Sequence, residues 1–284
     1  AIKEIGHAPP SVATIVVALL VAAIGFWLFV RRQRRLENPL LEFSIFLNPA
    51  FSAGVLAAAF AMFAIGGIQL VTTQRFQQVV GFSPLEAGLL VAVIAVGSLP
   101  TGLLGGAFLH RVGLLALITG GLAVATGGVV VTVVGFQSSF GVLVLGLLVT
   151  GAGLGAALSV ASTAIIGNVP VRRAGMAASL EEVSYEFGSL IAVSVLGSLL
   201  TAIYTASVVL PNGAPAAAGD GIAEALEAAQ GDAAIIQAAS TAFDSACLVV
   251  MLVVAGVLAA AAVITGVLLR RYLPGTQSQL HSEH

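Results

Sequence analysis

The sequence predicts an all-α transmembrane protein with seven membrane helices, and three observations carry that prediction. Of the 284 residues, 58% are hydrophobic and only 8% charged, against about 45–50% and roughly 25% in an ordinary soluble domain. The apolar residues come in blocks of about 20 or more, the length that a helix rising 1.5 Å per residue needs to cross a hydrocarbon core of about 30 Å. Closed barrels need alternating segments of about ten residues, and the blocks here lack polar alternation. Finally, nine of the eleven Lys and Arg residues fall in alternate connections between blocks, with only Lys3 and Arg75 on the other side. The positive-inside bias makes those nine cytoplasmic, so the N-terminus faces out and the C-terminus in.

In chain order, the first span covers 11–30 and is followed by Arg31, Arg32, Arg34 and Arg35. The second, 51–73, ends in a polar run that includes Gln69, Thr72, Thr73, Gln74, Arg75, Gln77 and Gln78. Two readings of that run stay open: it lines a substrate path, or it is a helix end emerging into water. The third span, 85–109, opens on Ser83-Pro84-Leu85-Glu86, a capping box with Pro at the first helical position, so Glu86 is a cap. Pro100 should kink this span. The fourth and fifth spans cover 113–135 and 141–168. Gly102 and Gly106, four apart, and the alternating Gly151, Gly153 and Gly155 are small residues that let membrane helices approach closely. The sixth span covers 175–206 and the seventh 243–269. Between them, 207–242 reads as an external loop with short surface helices near 221–229 and 232–239. Its acids Asp220, Glu224, Glu227 and Asp232, with no Lys or Arg, either keep a connector soluble or gather cations near an outer mouth. Asp244 is expected at the outer start of the seventh span, where the helix N-terminus favours a negative charge. Trp27, Tyr204 and Tyr272 sit near span ends, where amphipathic rings favour the headgroup zone. The single cysteine, Cys247, is expected to pack.

Three carboxylates, Glu181, Glu182 and Glu186, lie inside the sixth span. Counted from Arg173, Glu182 is roughly 13 Å and Glu186 roughly 20 Å along the helix, which puts Glu186 near mid-membrane. An ionised side chain there costs about 2.5–3.5 kcal/mol on insertion scales, so such residues face a protein interior or a water-filled cavity. A spacing of four places Glu182 and Glu186 on one face with Ser179, Ser189 and Val193, while Glu181 points about 100° away. Crowding of like charges and burial both favour the protonated acid. Since no Lys, Arg or His lies in a span core, the charge partner is a proton, a cationic ligand or a base elsewhere. That is exchange chemistry, in which proton and cation displace one another. The alternative is that these glutamates hydrogen-bond to neighbouring helices as packing glue.

Three segments together resemble the major facilitator superfamily, and within it the fourteen-span drug:proton antiporters of the QacA/EmrB type. Phe82-Ser83-Pro84-Leu85-Glu86-Ala87-Gly88-Leu89 resembles the family's entry into a span. The stretch from Gly106 through His110 and Arg111 to Gly113 resembles its cytoplasmic gating loop, with His110 in place of an acid. Gly151, Gly153 and Gly155, then Pro170, Arg172, Gly175, Ala178 and Ser179, then Glu182, Glu186 and Gly188, resemble its twelfth and thirteenth spans. The resemblance implies that the chain is the C-terminal portion, spans eight to fourteen. Residues 1–37 would then be an extra linker helix with its basic cytoplasmic end, 38–272 the C-terminal six-helix bundle, and 273–284 a cytoplasmic tail. The N-terminal six-helix half would be a missing partner; Ala1, without a signal-peptide layout, also reads as the start of a fragment.

The resemblance further implies a proton-coupled multidrug exporter in a bacterial cytoplasmic membrane, moving lipophilic or quaternary cations by alternating access between two bundles. Glu182 and Glu186 match the family's acidic pair; with Glu181 they are the substrate and proton candidates. Gln69, Thr73, Gln74 and Tyr185 are possible pathway residues. The expected partners are membrane lipid and a small cationic molecule, with no nucleic acid, metal or cofactor beyond the coupling proton. Two alternatives stand beside this: an exporter of a lipid, fatty acid or antibiotic, and a non-transporting scaffold or truncated relic. No Ser/His/Asp set, metal-ligand spacing or phosphate loop suggests an enzyme.

Overall fold

A computed structural model describes residues 12–33 and 43–270. Lys3, Arg34, Arg35, Arg271, Tyr272 and the tail 273–284 lie outside the described residues. The described chain is helical, with α1 (Val12–Gln33), α2 (Pro49–Gln78), α3 (Pro84–Gln137), α4 (Phe140–Ile166), α5 (Ala174–Ser207), α6 (Ile222–Ala228) and α7 (Ala233–Leu269). Five of these, α2, α3, α4, α5 and α7, are long and apolar enough to cross a membrane. α3 has 54 residues, about 80 Å of helix, more than two crossings, and it folds back at Gly113. Its two arms, 84–112 and 114–137, therefore count separately, and with α1 the seven expected membrane helices are present.

Gly113 makes the reversal possible. Its backbone sits at φ 85° and ψ 161°, a region essentially closed to residues with a Cβ. What reads in sequence as a loop is thus a single-residue break between two continuous helices. The first arm stays helical through Pro100, and Gly113 is the residue of α3 that leaves the helical range. At the other end of α3, the capping box forms as read: Ser83 Oγ accepts from Glu86 N at 3.3 Å and Glu86 Oε2 accepts from Ser83 N at 2.8 Å. Pro84 occupies the first turn, where its missing N–H costs nothing.

α4 is wedged between the two arms. A Cβ on Gly97, Gly151 or Gly153 would collide with the backbone carbonyl of Leu148, Ile94 or Gly121 respectively. Gly128 faces Thr150 and Gly146 faces Thr132, a reciprocal pair of small-against-hydroxyl contacts. Both hydroxyls donate to their own helices, Thr150 to Gly146 O at 2.8 Å and Thr132 to Gly128 O at 3.0 Å. Close backbone approach of this kind is how helices associate where burial against lipid offers no hydrophobic gain. The alternating glycines of α4 act as expected, whereas Gly106 has nothing within 4 Å of where a Cβ would lie.

The remaining contacts fix the relative polarity of the helices. α2 packs against α4 at Gly54 (Ala161, Ala164, Ile165), against α5 at Gly66 (Ser189, Ala192), and against both Leu196 of α5 and Val254 of α7 at Gly67. Gly266 of α7 lies against Thr119 of the second arm. Residue numbers rise together between α2 and α5 and run oppositely between α2 and α4, so consecutive spans alternate direction. Arg111, Arg172, Arg173 and Arg270 consequently share one end of the bundle, and Arg75 stands at the other. The arginine spacing in the sequence anticipates this division.

Three local expectations are corrected. The surface helix near 232–239 and the seventh span are one helix, α7, which starts at Ala233 and meets no Pro or Gly before Gly256. Asp232 is its N-cap, accepting from Ala234 N at 2.9 Å. Asp244 therefore lies well inside α7 and not at a helix N-terminus. Tyr204 is not an interfacial ring: it is buried, packs edge-on against Phe243, and donates to Ala218 O at 2.9 Å, pinning the connecting segment onto α5.

Gly113→Ala should cost the folded state about 1–3 kcal/mol and lower the thermal midpoint of the detergent-purified protein. Gly127→Ala, on a helical stretch with open space around it, should leave that midpoint unchanged or raise it slightly. An unchanged midpoint for Gly113→Ala would contradict the observed backbone.

Candidate functional site

The sidedness of α5 builds the site. Ala177, Leu180, Glu181, Ser184, Gly188, Ala192, Leu196, Leu200 and Tyr204 are buried, one stripe turned into the bundle. Gly188 is the tightest point, since a Cβ there would meet Ala59 O and come within 3.1 Å of Phe63 N. Glu186, two residues earlier, is rotated about 200° from Gly188 and is exposed together with Ser179, Glu182 and Val193. Glu182 and Glu186 thus share an exposed face, about 6 Å apart along the axis. The contact of Gly188 with Ala59 and Phe63 puts Glu186 level with the middle of α2. Apolar neighbours Val183, Phe187 and Leu190 surround the pair, with Phe187 and Leu190 more than 60% exposed.

Glu181 belongs to the other side. It is 7% exposed, and Oε1 accepts from the Tyr185 hydroxyl at 2.6 Å, one turn along the same helix. Tyr185, a pathway candidate by sequence, is half-buried and spends its hydroxyl on this bond. Gln69 is exposed, while Thr73 and Gln74 are half-buried, toward the Arg75 end of α2. Gln69 lies about 12 Å further along the axis than Glu186, so these polar groups are not brought together with the acidic pair. In the motif around the α3 reversal, Gly106, His110 and Arg111 are exposed, and Gly113 is buried at the turn.

An ion pair at the Arg75 end is not evident from the sequence. Arg75 Nε donates to Asp244 Oδ1 at 2.8 Å and Nη2 to Asp244 Oδ2 at 3.2 Å, a two-point contact tying α2 to α7. The guanidinium also lies 4.7 Å from the Phe136 ring centroid and 5.4 Å from that of Phe76. A pocket of about 240 Å³ opens beside it, lined by residues that include Phe76, Phe136, Ser138, Ser139 and Phe140. Nothing in the spacing of 75 and 244 signals this pairing; both residues being charges near one end of the spans is the only hint.

A six-crossing helical bundle with a carboxylate pair at mid-depth on an exposed helix face has the form of a polytopic membrane carrier. Residues 55–219 match the family profile described as "Major Facilitator Superfamily", and the chain belongs to that superfamily. It is 29% identical over 284 residues to the multidrug efflux pump LfrA of Mycolicibacterium smegmatis, covering 95% of this chain and 56% of that protein. It is 31% identical to the multidrug resistance protein Stp of Mycobacterium tuberculosis, over 70% of this chain and 37% of the relative. It is 30% identical to the methyl viologen resistance protein SmvA of Salmonella typhimurium, over 69% and 40% respectively. The chain spans about half the length, or less, of these curated relatives. A crystal structure of a bacterial homologue of the human lysosomal transporter Spinster, inward-facing and occupied, has the same fold. Its TM-score is 0.62 at 21% identity, covering 78% of this chain and 49% of that one.

Single-cysteine probes should separate the two faces of α5. In the membrane-embedded protein, Glu182→Cys and Glu186→Cys should react with a water-soluble maleimide at least about tenfold faster than Glu181→Cys. Native Cys247, fully buried, should stay silent. Equal labelling at 181 and 186 would overturn the assignment of faces.

Proposed function

We propose that this chain forms one half of a proton-coupled multidrug exporter that moves lipophilic or quaternary cations out of a bacterial cell, with Glu186 and Glu182 binding cargo and proton in turn. The observation that carries the reading is the position of the acidic pair: two carboxylates one turn apart, at mid-depth, on a face turned away from their own bundle. A second six-helix half would cover that face and complete a cavity between them. The relatives' names support the cargo class, since methyl viologen is a dication and multidrug pumps handle varied lipophilic compounds. The proposed polarity puts the Arg111, Arg172, Arg173 and Arg270 end in the cytoplasm and Arg75 outside, following the positive-inside bias.

In the proposed cycle a cation entering from the cytoplasm meets Glu186, assisted by Glu182, and its apolar body rests on Phe187 and Leu190. The cation-bound and protonated carboxylates are both neutral overall, whereas the bare anion is the costly species in a low-dielectric cavity. Protons arriving from outside displace the cargo, and the protonated bundle returns. The chain's own contribution is to hold the pair on a rigid helix, anchored by Gly188, while the two halves rock around it.

Ethidium efflux from cells expressing the complete transporter tests the assignment. Glu186→Gln, at confirmed expression, should slow efflux about tenfold or more, as loss of roughly 1.4 kcal/mol of binding or coupling implies; Glu182→Gln should slow it less. Wild-type rates for Glu186→Gln would refute its role. Efflux competed by fatty acids and not by cationic dyes would point to the lipid-exporting alternative.

A further inference from the structure

The ends of the bundle carry opposite charge. Arg111, Arg172, Arg173 and Arg270 crowd one end, and no Asp or Glu lies within six residues of any of them. At the other end stand Glu86, Asp220, Glu224, Glu227, Asp232 and Asp244, with Arg75 as the one base among the described residues. A cation leaving by that end gains from the summed acidic potential, and an unpaired guanidinium there would oppose it. Arg75 is not unpaired: Asp244 takes two of its nitrogens, the rings of Phe136 and Phe76 flank it, and its side chain is only 13% exposed.

We propose that Asp244 is a specificity-determining residue that masks Arg75, keeping the exit end free of positive charge so that cations, and dications above all, can leave. The inference rests on the cation-export reading. Several features argue for masking beyond simple bracing. The pair is bidentate, which matches guanidinium to carboxylate in charge as well as geometry. Asp244 is set twelve residues into α7 and not at a loop, so a rigid helix delivers the neutralising charge. The partly open pocket beside Arg75 leaves that base within reach of the external solution were its partner removed. Bracing alone requires no charge at all, since leucines at 75 and 244 could pack in the same space. A structural brace would act equally on every cargo; a charge mask acts in proportion to cargo charge, because each additional unit charge adds its own Coulomb term.

The test compares efflux of methyl viologen, a dication, and ethidium, a monocation, by the complete transporter in proteoliposomes. Asp244→Asn should depress the dication rate about three- to tenfold more than the monocation rate, and raising the salt concentration should narrow the gap. The double variant Arg75→Gln with Asp244→Asn removes both charges and should restore the wild-type ratio of the two rates, even if both rates fall through lost packing. Should Asp244→Asn fail to fold, Arg75→Gln alone still decides: it should leave the dication favoured at least as much as in the wild type. Equal loss for both cations, or a double variant whose ratio matches Asp244→Asn, overturns the masking role and leaves a brace. A wild-type transporter that moves neither cation overturns masking together with the cation-export reading beneath it.

Discussion

Packing around α4 is the constraint on which the rest of the structure depends. Within a bilayer, apolar side chains gain nothing by leaving lipid for protein, so helices hold together through close van der Waals contact and backbone approach. Gly97, Gly151 and Gly153 supply that approach between α4 and both arms of α3, and the two arms can flank α4 only because Gly113 reverses the chain in one residue. α2 then docks on α4 through Gly54 and offers Gly66 and Gly67 to α5 and α7. The rotation of α5 is the last link: with Gly188 pressed against Ala59 and Phe63, residues 182 and 186 have nowhere to point but away from the bundle. The exposure of two carboxylates follows from where a single glycine, Gly188, packs on the same helix.

Much of this was legible in the sequence because the bilayer simplifies the code. Blocks of apolar residues mark spans by length alone, and arginine spacing marks alternation of direction. That Glu182 and Glu186 share one face of α5 was legible too, since a four-residue spacing fixes a shared face in any helix, whereas the direction in which that face points is set by packing at Gly188. What escaped was either local backbone geometry or pairing across distance. Gly113 closes the motif that places a loop between the third and fourth spans, but nothing in that pattern announces that one residue at positive φ makes the whole turn between two continuous helices. α7 runs on from its surface turn into the span because nothing in 233–255 breaks a helix, yet the drop in hydropathy before 243 suggests a boundary. Tyr204 looks like an interfacial ring until the connecting segment folds back to give its hydroxyl Ala218 O. Arg75 and Asp244 are 169 residues apart, and only the packing of α2 on α7 brings them together.

The contrast between Glu181 and Glu182 gives the chemistry its logic. They are adjacent in sequence, and a helix turns about 100° between them, enough to send one carboxylate into the bundle and the other out. The inward one is given a fixed partner, the Tyr185 hydroxyl at 2.6 Å, from its own helix. A buried polar group requires such a partner, and a permanent one suits a permanent place in the structure. Glu182 and Glu186 face outward from the bundle at mid-depth, where a bare charge against lipid is costly. On the proposed reading, acids that the fold neither buries nor pairs with a base among the described residues are answered by cargo and proton in turn. Arg75 shows the same rule with the sign reversed: where the protein does keep a base at the acidic end of the bundle, it supplies Asp244 on a rigid helix to cancel it. Glu181 and Arg75 each have a partner fixed by the fold, and on the proposed reading the mid-depth acidic pair on α5 is the place left for a mobile one.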